Sequence, residues 1–322
     1  MAGAQAAASI SSAKEGPMRS SRRSTYALSM EKGDLLPTLL MAPAVALVFF
    51  VMVVPLSYGV FLSLFNFEFG AFDLRKAFVG LRHYITFLGD ETALRAVANT
   101  LMFSAGAIAG DFVLGTLAAT FIHSFSRSIA RFIRPIVTVP LLVSPIVVGL
   151  IWRYIYDPQG ILYWLMDQVG IPFEAFPGVT SASTALLSTI IAHWWQVVPF
   201  MIIVLTAGLV SIPVELYEAA HIDGAGPVTA FFRITLPMLK DVYMVILLIS
   251  GVDTIKVFDI IFALTGGGPN NSTVSLSMYA YSQGFANSNL SYAMAISVVV
   301  MTLTFVIFGI PFIRQNRNRN DR

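Results

Sequence analysis

The stretch EAAHIDGAGPVTAFFRITLPML, residues 218–239, is a polar interruption between two long apolar runs. It carries Glu218, His221, Asp223 and Arg233 in a chain that is 56% hydrophobic and only 12% charged. Ionisable side chains are costly inside hydrocarbon, so such a cluster is expected outside the membrane. The contrast with its flanks predicts a short structured segment that connects two membrane-spanning helices.

The residues around this interruption predict a helix, a turn and a second helix. Ser211 is a candidate N-cap, Pro213 lies in the first turn, and good helix formers occupy residues 215–222. Three helix-breaking residues come next: Gly224, Gly226 and Pro227. A second short helix is expected over residues 229–237. The same pattern fits an amphipathic helix lying on the membrane surface, and composition does not decide between that helix and a docking element.

The composition of the whole chain is that of an integral membrane protein. Its 322 residues have a mean hydropathy of +0.75, include 25 Phe and carry a net charge of only +2. This is too little polar material to coat a soluble globule of this size. The lack of Cys excludes disulfides, thiolate metal ligands and Cys nucleophiles. The four His are too scattered to indicate a metal site: His83, His123, His193 and His221.

Six apolar runs are long enough to cross about 30 Å of hydrocarbon as helices. They lie at about 38–64, 97–123, 132–155, 184–210, 242–264 and 292–314. The predicted fold class is therefore all-α, a polytopic bundle with six spans in residues 36–314. Residues 1–35 are rich in Ala, Ser and Arg and have no apolar core, which predicts a disordered tail instead of a cleaved signal peptide. Residues 315–322 form a second predicted tail.

The Lys and Arg residues of the connections predict how the spans are oriented. Fourteen fall on one side: Lys14, Arg19, Arg22, Arg23, Lys32, Arg127, Arg131, Arg134, Arg233, Lys240, Arg314, Arg317, Arg319 and Arg322. Four fall on the other: Arg75, Lys76, Arg82 and Arg95. The positive-inside rule places both tails and residues 211–240 in the cytoplasm of a multi-pass protein of the cell membrane. Because the basic residues gather beside apolar runs, a nucleic-acid partner is not expected.

Three stretches resemble those of a known transporter family. EAAHIDGAG and RITLP, both within residues 218–237, resemble the EAA loop of permease subunits of binding-protein-dependent, ATP-driven (ABC) importers of the sugar type. Two further stretches are similar to the family's sequences before the second span and after the fifth: VGLRHYITFLGD (79–90) with NTLMFSAG (99–106), and FDIIFALTGGGPNNST (258–273). The resemblance runs over roughly residues 36–314 and implies the six-span fold of a type I importer permease.

The resemblance also implies that residues 211–240, here named the coupling segment, join this chain to a cytoplasmic ATPase. In the family, the first short helix of this segment inserts into a cleft of the ATPase and converts nucleotide-driven closure into movement of the spans. The residues carried over to this role are Glu215, Glu218, Ala219, Ala220, His221, Asp223, Gly224, Ala225 and Gly226. His221 stands where a basic or small residue is frequent, and Asp241 where Pro is common. Gly224 is expected to take a left-handed conformation at the helix end.

The glycine-rich stretch TGGGPNNST (265–273) is not a phosphate-binding loop, because it lacks the Gly-Lys-Ser/Thr ending. No other stretch has that motif, so we expect no cofactor in this chain, no enzymatic activity of its own, and ATP and Mg²⁺ in the partner ATPase. The resemblance implies a second, different permease subunit, two ATPase copies and an extracellular or lipid-anchored sugar-binding protein. The residues expected to face that binding protein are Gly266, Gly267, Gly268, Pro269, Asn270 and Asn271.

Several polar residues inside the predicted spans are candidates for a translocation path. Asp253, Lys256 and Asp259 are spaced i, i+3 and i+6, which fits either an internal ion pair or the wall of a hydrated path. The motif HWWQ (193–196) fits either stacking on sugar rings or anchoring at the membrane interface. Its candidate path residues are Trp194, Trp195 and Gln196. For Asp111 and Arg153 the choice is again between an internal ion pair and the wall of a hydrated path.

Glycine and proline patterns predict how the spans pack and bend. Close backbone approach is expected at three positions of the second span: Gly106, Gly110 and Gly115. Kinks are expected at three positions of the third span: Pro135, Pro140 and Pro145. Kinked spans suit a bundle that moves during transport.

The leading functional hypothesis is a permease subunit of an ATP-driven sugar importer. The alternative class is an ion-coupled carrier with the charged residues at 253, 256 and 259 as a proton relay, but the coupling segment and the lack of an evident internal repeat favour the importer. A membrane enzyme is disfavoured because no nucleophile motif or HExxH is present. Similarity to actinobacterial disaccharide permeases favours trehalose as the substrate. Maltose-type oligosaccharides and glycerol-phosphate compounds are the alternatives.

Overall fold

The computed structural model describes residues 35–66 and 77–313. The two predicted tails fall outside these ranges except for Leu35, and so do three residues of the orientation count: Arg75, Lys76 and Arg314. Within the described residues the fold is all-α, as predicted, and has no strand. The chain divides into two units, residues 1–58 and 59–322.

The helices are defined in chain order. They are α1 (Leu35–Ser63), α2 (Arg82–Gly89), α3 (Glu91–Ser124), α4 (Arg127–Thr138), α5 (Pro145–Ile155), α6 (Ile161–Gln168), α7 (Ala185–Val210), α8 (Val214–Ile222), α9 (Pro227–Met238), α10 (Lys240–Ile255), α11 (Asp259–Leu264), α12 (Leu276–Tyr281) and α13 (Leu290–Ile313). A 3₁₀ turn, Val139–Leu142, follows α4. The last turns of α13 include a π turn, Phe305–Gly309.

In the first unit, the described residues all belong to α1. Side chains from Leu40 to Tyr58 are exposed, apart from the half-buried Val53. Exposing a helix that is apolar on every face to water is unfavourable, whereas contact of the same surface with lipid is not. This pattern is typical of a membrane-spanning helix.

The described residues contain four helices that are long and apolar enough to cross a membrane. They are Leu40–Ser63, Glu91–Ser124, Ala185–Val210 and Leu290–Ile313. Two bent helix pairs raise the number of spans to as many as six if each pair crosses once: Ser128–Leu142 with Pro145–Ile155, and Pro227–Met238 with Lys240–Ile255. The all-α, polytopic class predicted from the sequence is therefore confirmed, and the predicted six spans are reached if each bent pair crosses once.

The third predicted span is broken at only one place, not at each of its prolines. α4 runs through Pro135 without ending, and Pro140 lies in the 3₁₀ turn that follows. The backbone is extended at Val143 and Ser144, and Pro145 then opens α5 at an angle of 97° to the preceding helix. Proline is well tolerated at the first position of a helix, because the N–H that it lacks would have no partner there. This explains why the new helix begins at Pro145.

The fifth apolar run, predicted to cross the membrane as a helix over about residues 242–264, is not one continuous helix. α10 ends at Ile255, Lys256 is its C-cap, and α11 begins only at Asp259. Phe258 has a non-helical backbone, with φ −137° and ψ −60°. The carbonyl freed at Val257 accepts a hydrogen bond of 2.7 Å from the Ser275 hydroxyl, which lets the break persist away from water.

The core of the second unit is built on the packing of α3 against α7. A Cβ added at Gly106 would lie 2.8 Å from the Ile190 side chain, and one added at Gly115 would lie 2.5 Å from Met201. Real Cβ atoms do not approach so closely. A Cβ at Gly115 would meet the Cβ of Met201 and force the helices apart, whereas at Gly106 the end of the Ile190 side chain can move aside. The close backbone approach predicted for the second span is confirmed, and the partner helix is α7.

Candidate functional site

The first helix of the coupling segment, α8, is ended by a local motif that the sequence predicted. Gly224 has φ +77°, its N–H bonds the His221 carbonyl at 3.1 Å, and the Ala225 N–H bonds the Ala220 carbonyl at 2.8 Å. These two bonds are the Schellman arrangement, in which the residue after the helix is left-handed. A Cβ at Gly224 would meet no atom within 4 Å, so only the backbone conformation demands glycine here.

The start of α8 differs from the prediction. Ser211 is not its N-cap, because the Ser211 hydroxyl donates to the Gly208 carbonyl at 2.7 Å and closes α7 instead. Ser211 keeps helical angles, φ −81° and ψ −11°, which turn its side chain back toward α7. Pro213 occupies the N-cap position, and α8 begins at Val214.

Most of the surface of α8 is free of contact with the rest of the chain. None of its residues is buried, and Ile222 is 85% exposed. Glu215, Glu218 and His221 are exposed and form no ion pair within the described residues. α8 is held on one side by Tyr217, whose hydroxyl lies 2.9 Å from that of Thr235 on α9. The result is a helical hairpin fixed at its base and open over its outer face.

A cleft of about 350 Å³ gathers polar residues beside the break between α10 and α11. Of the predicted path residues, it contains Gln196, Asp253, Lys256 and Asp259. Lys256 Nζ lies 3.2 Å from Asp253 Oδ1, and both side chains are more than half exposed. Asp259 has no ion-pair partner among the described residues; it lies at the start of α11, beyond the break, whereas Lys256 is the C-cap of α10.

Gln196 supports the break in the third span as well as lining the cleft. Its Nε2 donates to the Val143 carbonyl at 2.8 Å. Val143 lies in the extended stretch between α4 and α5, where a carbonyl loses its partner within the helix. The side-chain amide therefore replaces a backbone donor, and its Oε1 keeps its acceptor capacity.

The two tryptophans predicted for the path do not line this cleft. Trp194 Nε1 donates to the carbonyls of Gly106 and Ala107 at 3.2 and 3.1 Å, and its ring occupies the space that a Cβ at Gly110 would need. Trp195 is 39% exposed, and its ring packs edge-on against that of Trp152 at 6.3 Å. Trp194 thus joins α3 to α7. Of the three predicted path residues at positions 194–196, only Gln196 lines this cleft.

A buried polar cluster next to the cleft was not predicted as a unit. The Asp111 side chain is fully buried, and its Oδ2 accepts a hydrogen bond of 2.8 Å from Ser250 and lies 3.3 Å from His193 Nε2. Asp111 Oδ1 has no partner. The three residues come from α3, α7 and α10, so the cluster ties three helices together. The sequence marked Asp111 and His193 separately, but 82 residues separate them and no local pattern pairs them.

The loop at residues 265–273 is fixed to the start of α3. Arg95 Nη1 donates to the Asn270 carbonyl at 3.2 Å, and Asn99 Nδ2 donates to the Asn271 carbonyl at 2.9 Å. Asn270 and Asn271 have φ of 52° and 58°, a conformation that Asn tolerates better than most residues. Both residues are exposed. Arg95 and Asn99 were not predicted as supports of this loop.

Asp90 joins the same end of α3 to two other helices. Its Oδ1 caps α3 by accepting from the backbone N–H of Thr92 and Ala93, at 2.9 and 3.2 Å. Its Oδ2 accepts from the hydroxyls of Tyr279 and Tyr292. Burial raises the pKa of Asp90, but the bonds from the two tyrosines and the two N–H groups outweigh it and leave the pKa below the ordinary value.

Comparison with known proteins identifies related chains. Residues 111–317 match the family model described as "Binding-protein-dependent transport system inner membrane component". The chain is 31% identical over 280 residues to the probable ABC transporter permease protein YurN of Bacillus subtilis, which covers 86% of this chain and 95% of that relative. It is 34% identical over 248 residues to the trehalose/maltose transport system permease protein MalF of Thermococcus litoralis, covering 76% and 82%.

Two further comparisons extend this result. The sn-glycerol-3-phosphate transport system permease protein UgpA of Agrobacterium fabrum is 31% identical over 280 residues, covering 86% of this chain and 94% of that relative. A crystal structure of a bacterial ABC transporter that imports the acidic polysaccharide alginate contains a chain with a TM-score of 0.73 and 23% identity, covering 91% and 99%. At that identity the structural likeness shows a shared fold.

Proposed function

The chain belongs to the binding-protein-dependent transport system inner membrane components and is a permease subunit of an ABC importer of the sugar class; from this premise we propose that its substrate is a disaccharide, with trehalose favoured. The observation that carries the proposal is the polar cleft beside the α10–α11 break. The Thermococcus litoralis relative is a trehalose/maltose transport system permease protein, which supports the same substrate class. Maltose-type oligosaccharides are the second candidate.

The charges of the cleft favour a neutral sugar over a glycerol phosphate. Two carboxylates, Asp253 and Asp259, line it against one ammonium group, that of Lys256. Lys256 is already paired with Asp253, so the net local charge is negative and repels an anionic substrate. Asp259 and the free Oε1 of Gln196 are acceptors for sugar hydroxyl groups. We therefore place part of the substrate path in this cleft.

We propose that α8 and the turn after it are the contact with a partner ATPase, which would hold ATP and Mg²⁺ and supply the hydrolysis. The residues of this contact are Glu215, Glu218, Ala219, Ala220, His221, Asp223, Gly224, Ala225 and Gly226. The openness of α8 supports this role, because three large apolar side chains of this short helix, those of Val214, Leu216 and Ile222, are exposed, and such a surface suits a protein interface better than water. The Schellman turn keeps the end of α8 in one conformation, which lowers the entropic cost of docking.

At the other end of α3, we propose that the exposed Asn270 and Asn271 meet a sugar-loaded binding protein. Their backbone is held by Arg95 and Asn99, so their side chains are presented from a fixed loop. A second permease subunit would complete the path. In this arrangement the binding protein and the ATPase act on opposite ends of one long helix.

The experiment that tests the substrate is sugar-stimulated ATP hydrolysis by the reconstituted importer. The chain, a second permease, the ATPase and the binding protein are placed in vesicles, and trehalose, maltose, maltotriose and glycerol 3-phosphate are compared. We expect trehalose to stimulate most and glycerol 3-phosphate least. Strongest stimulation by glycerol 3-phosphate would contradict the charge argument, and strongest stimulation by maltotriose would replace trehalose by the oligosaccharide alternative. Uptake that continues without ATP and stops with a proton uncoupler would contradict the importer class.

A further inference from the structure

A cleft of about 1160 Å³ opens beside the coupling segment, between the end of α3, the amphipathic helix α4 and the end of α7. Its floor is apolar and includes Ile122, Ala130 and Leu209. Val214 and Tyr217, at the start of α8, form one wall. The cleft is therefore in direct contact with the element proposed to couple the spans to the ATPase, although none of the coupling residues named above lines it.

The permanently charged groups of this cleft are two guanidinium groups, those of Arg131 and Arg134. His123 also lines it, and no carboxylate does. Arg131 and Arg134 are exposed and have no hydrogen-bond or ion-pair partner within the part of the chain that the structure describes. Two guanidinium groups three residues apart on one helix lie on the same face, so both can reach one anion. Planar guanidinium groups match phosphate geometry particularly well.

A second groove continues from this cleft along α7. It has a volume of about 410 Å³ and shares Arg134, Thr138 and Val210 with the first. It then passes Ile202, Ile203 and Ala207. From Val210 back to Ile202 a helix rises by about 12 Å, so the groove runs from the end of a membrane span into its apolar interior. A ligand that fills both parts has an anionic head at the end of α7 and an apolar body inside the bilayer.

We propose that this groove binds an anionic phospholipid, with its phosphate on Arg131 and Arg134 and one acyl chain along α7. Basic pockets between spans on the cytoplasmic side suit acidic headgroups. A free phosphate would leave the apolar groove empty, and a soluble acidic protein would not extend along a membrane-spanning helix. The bound lipid contacts Val214 and Tyr217 and thereby steadies the base of α8.

The test measures lipid retention by the full chain. Nanodiscs are formed from equal parts of phosphatidylglycerol and phosphatidylcholine, the protein is transferred to detergent, and retained lipid is counted by native mass spectrometry. The double variant R131Q/R134Q is compared with R233Q/K240Q, which removes the same charge from the coupling segment outside the groove. We expect wild type and R233Q/K240Q to retain phosphatidylglycerol, and R131Q/R134Q to lose retention by roughly tenfold or more.

A second variant separates the lipid from a headgroup alone. Ala207→Trp fills the groove while leaving both arginines in place, and it is expected to reduce phosphatidylglycerol retention severalfold. Circular dichroism and size-exclusion chromatography check that each variant is folded, and a misfolded Arg variant leaves the Ala207→Trp comparison decisive. Equal retention by wild type and R131Q/R134Q would overturn the proposal, as would equal loss in R233Q/K240Q or no preference of wild type for phosphatidylglycerol. Full retention by Ala207→Trp would overturn the acyl-chain half and with it a lipid ligand.

Discussion

The two ends of α3 are built in opposite ways. α3 has 34 residues and is about 50 Å long. At its start, Asp90, Arg95 and Asn99 tie a loop and two helices down with side-chain hydrogen bonds. Near its other end, α8 is held mainly by Tyr217 and leaves its outer face open. The first end, here named the fixed end, is held by long-range polar contacts. The second end, here named the open end, is α8 and the turn after it, which are shaped by local backbone rules and leave α8 exposed over its outer face.

Between these ends, the Asp111 cluster joins the helices that would have to move together. Asp111 lies in the middle of α3 and bonds groups on α7 and α10. Both helices lead directly into the coupling segment, since α7 ends just before α8 and α10 begins just after α9. The difference between the ends therefore predicts different outcomes for substitutions at each end and between them.

The largest effect on transport is expected from Gly224→Leu. A left-handed conformation costs a residue with a Cβ on the order of 1–2 kcal/mol, so the turn after α8 should change its shape and its docking. We expect substrate-stimulated ATP hydrolysis by the reconstituted importer to fall more than tenfold. Gly170→Leu is the matched control, because Gly170 also has a positive φ, +74°, and no atom near its Cβ position, but lies outside the coupling segment. Normal transport by Gly224→Leu would show that the open end does not depend on this turn.

Asp111→Ala is expected to have the largest effect on stability. It leaves the hydroxyl of Ser250 and a ring nitrogen of His193 without their acceptor in a buried site, at a cost of about 3 kcal/mol. Ser250→Ala removes a single donor and should cost only about 1 kcal/mol. Thermal unfolding of the purified chain in detergent gives both values. If Asp111→Ala unfolds at the wild-type temperature, the cluster does not hold the three helices together.

Asn99→Ala is expected to loosen the fixed end and leave the open end unchanged. Its amide donates to the carbonyls of Asn271 and Val274, so the loss of both bonds should cost about 1–3 kcal/mol locally. Hydrogen exchange should accelerate in residues 265–275 and stay at the wild-type rate in α8. Arg95→Ala is a milder comparison, because Arg95 is half exposed and contributes about 1 kcal/mol or less. Acceleration in α8 as well would mean that the two ends are not independent.

The smallest effect is a pH dependence confined to the fixed end. The folded state lowers the pKa of Asp90, so its contribution to stability is full above the ordinary Asp pKa of about 3.9 and is lost as the pH falls through the lower folded value. We expect hydrogen exchange around Tyr279 to accelerate as the pH falls below about 4, after correction for the intrinsic exchange rate. In Asp90→Asn this additional acceleration should vanish. An identical acid response in both proteins would assign it to another group.

The open end was predictable from sequence because its determinants are close together in the chain. The helix over residues 215–222 and the left-handed Gly224 follow from propensities within a few residues, and both are confirmed. The six spans follow from the length of apolar runs, which the thickness of a membrane sets independently of how helices pack. Ser211 was misassigned because it can cap one helix or close the previous one, and only its backbone angles decide.

The fixed end and the cleft required the tertiary structure. The break between Lys256 and Asp259 is supported by a hydrogen bond from Ser275 to the Val257 carbonyl. Ser275 lies too far along the chain for local helix propensity to predict this bond. Trp194 packs against α3 instead of facing the cleft because glycines on the other helix leave room for its ring. Sequence alone therefore determined that the chain spans a membrane and carries a helix–turn–helix between spans, since hydrophobic length and backbone preference act locally. Tertiary structure decided which polar side chains meet, because hydrogen bonds across 80 to 200 residues depend on how the helices pack.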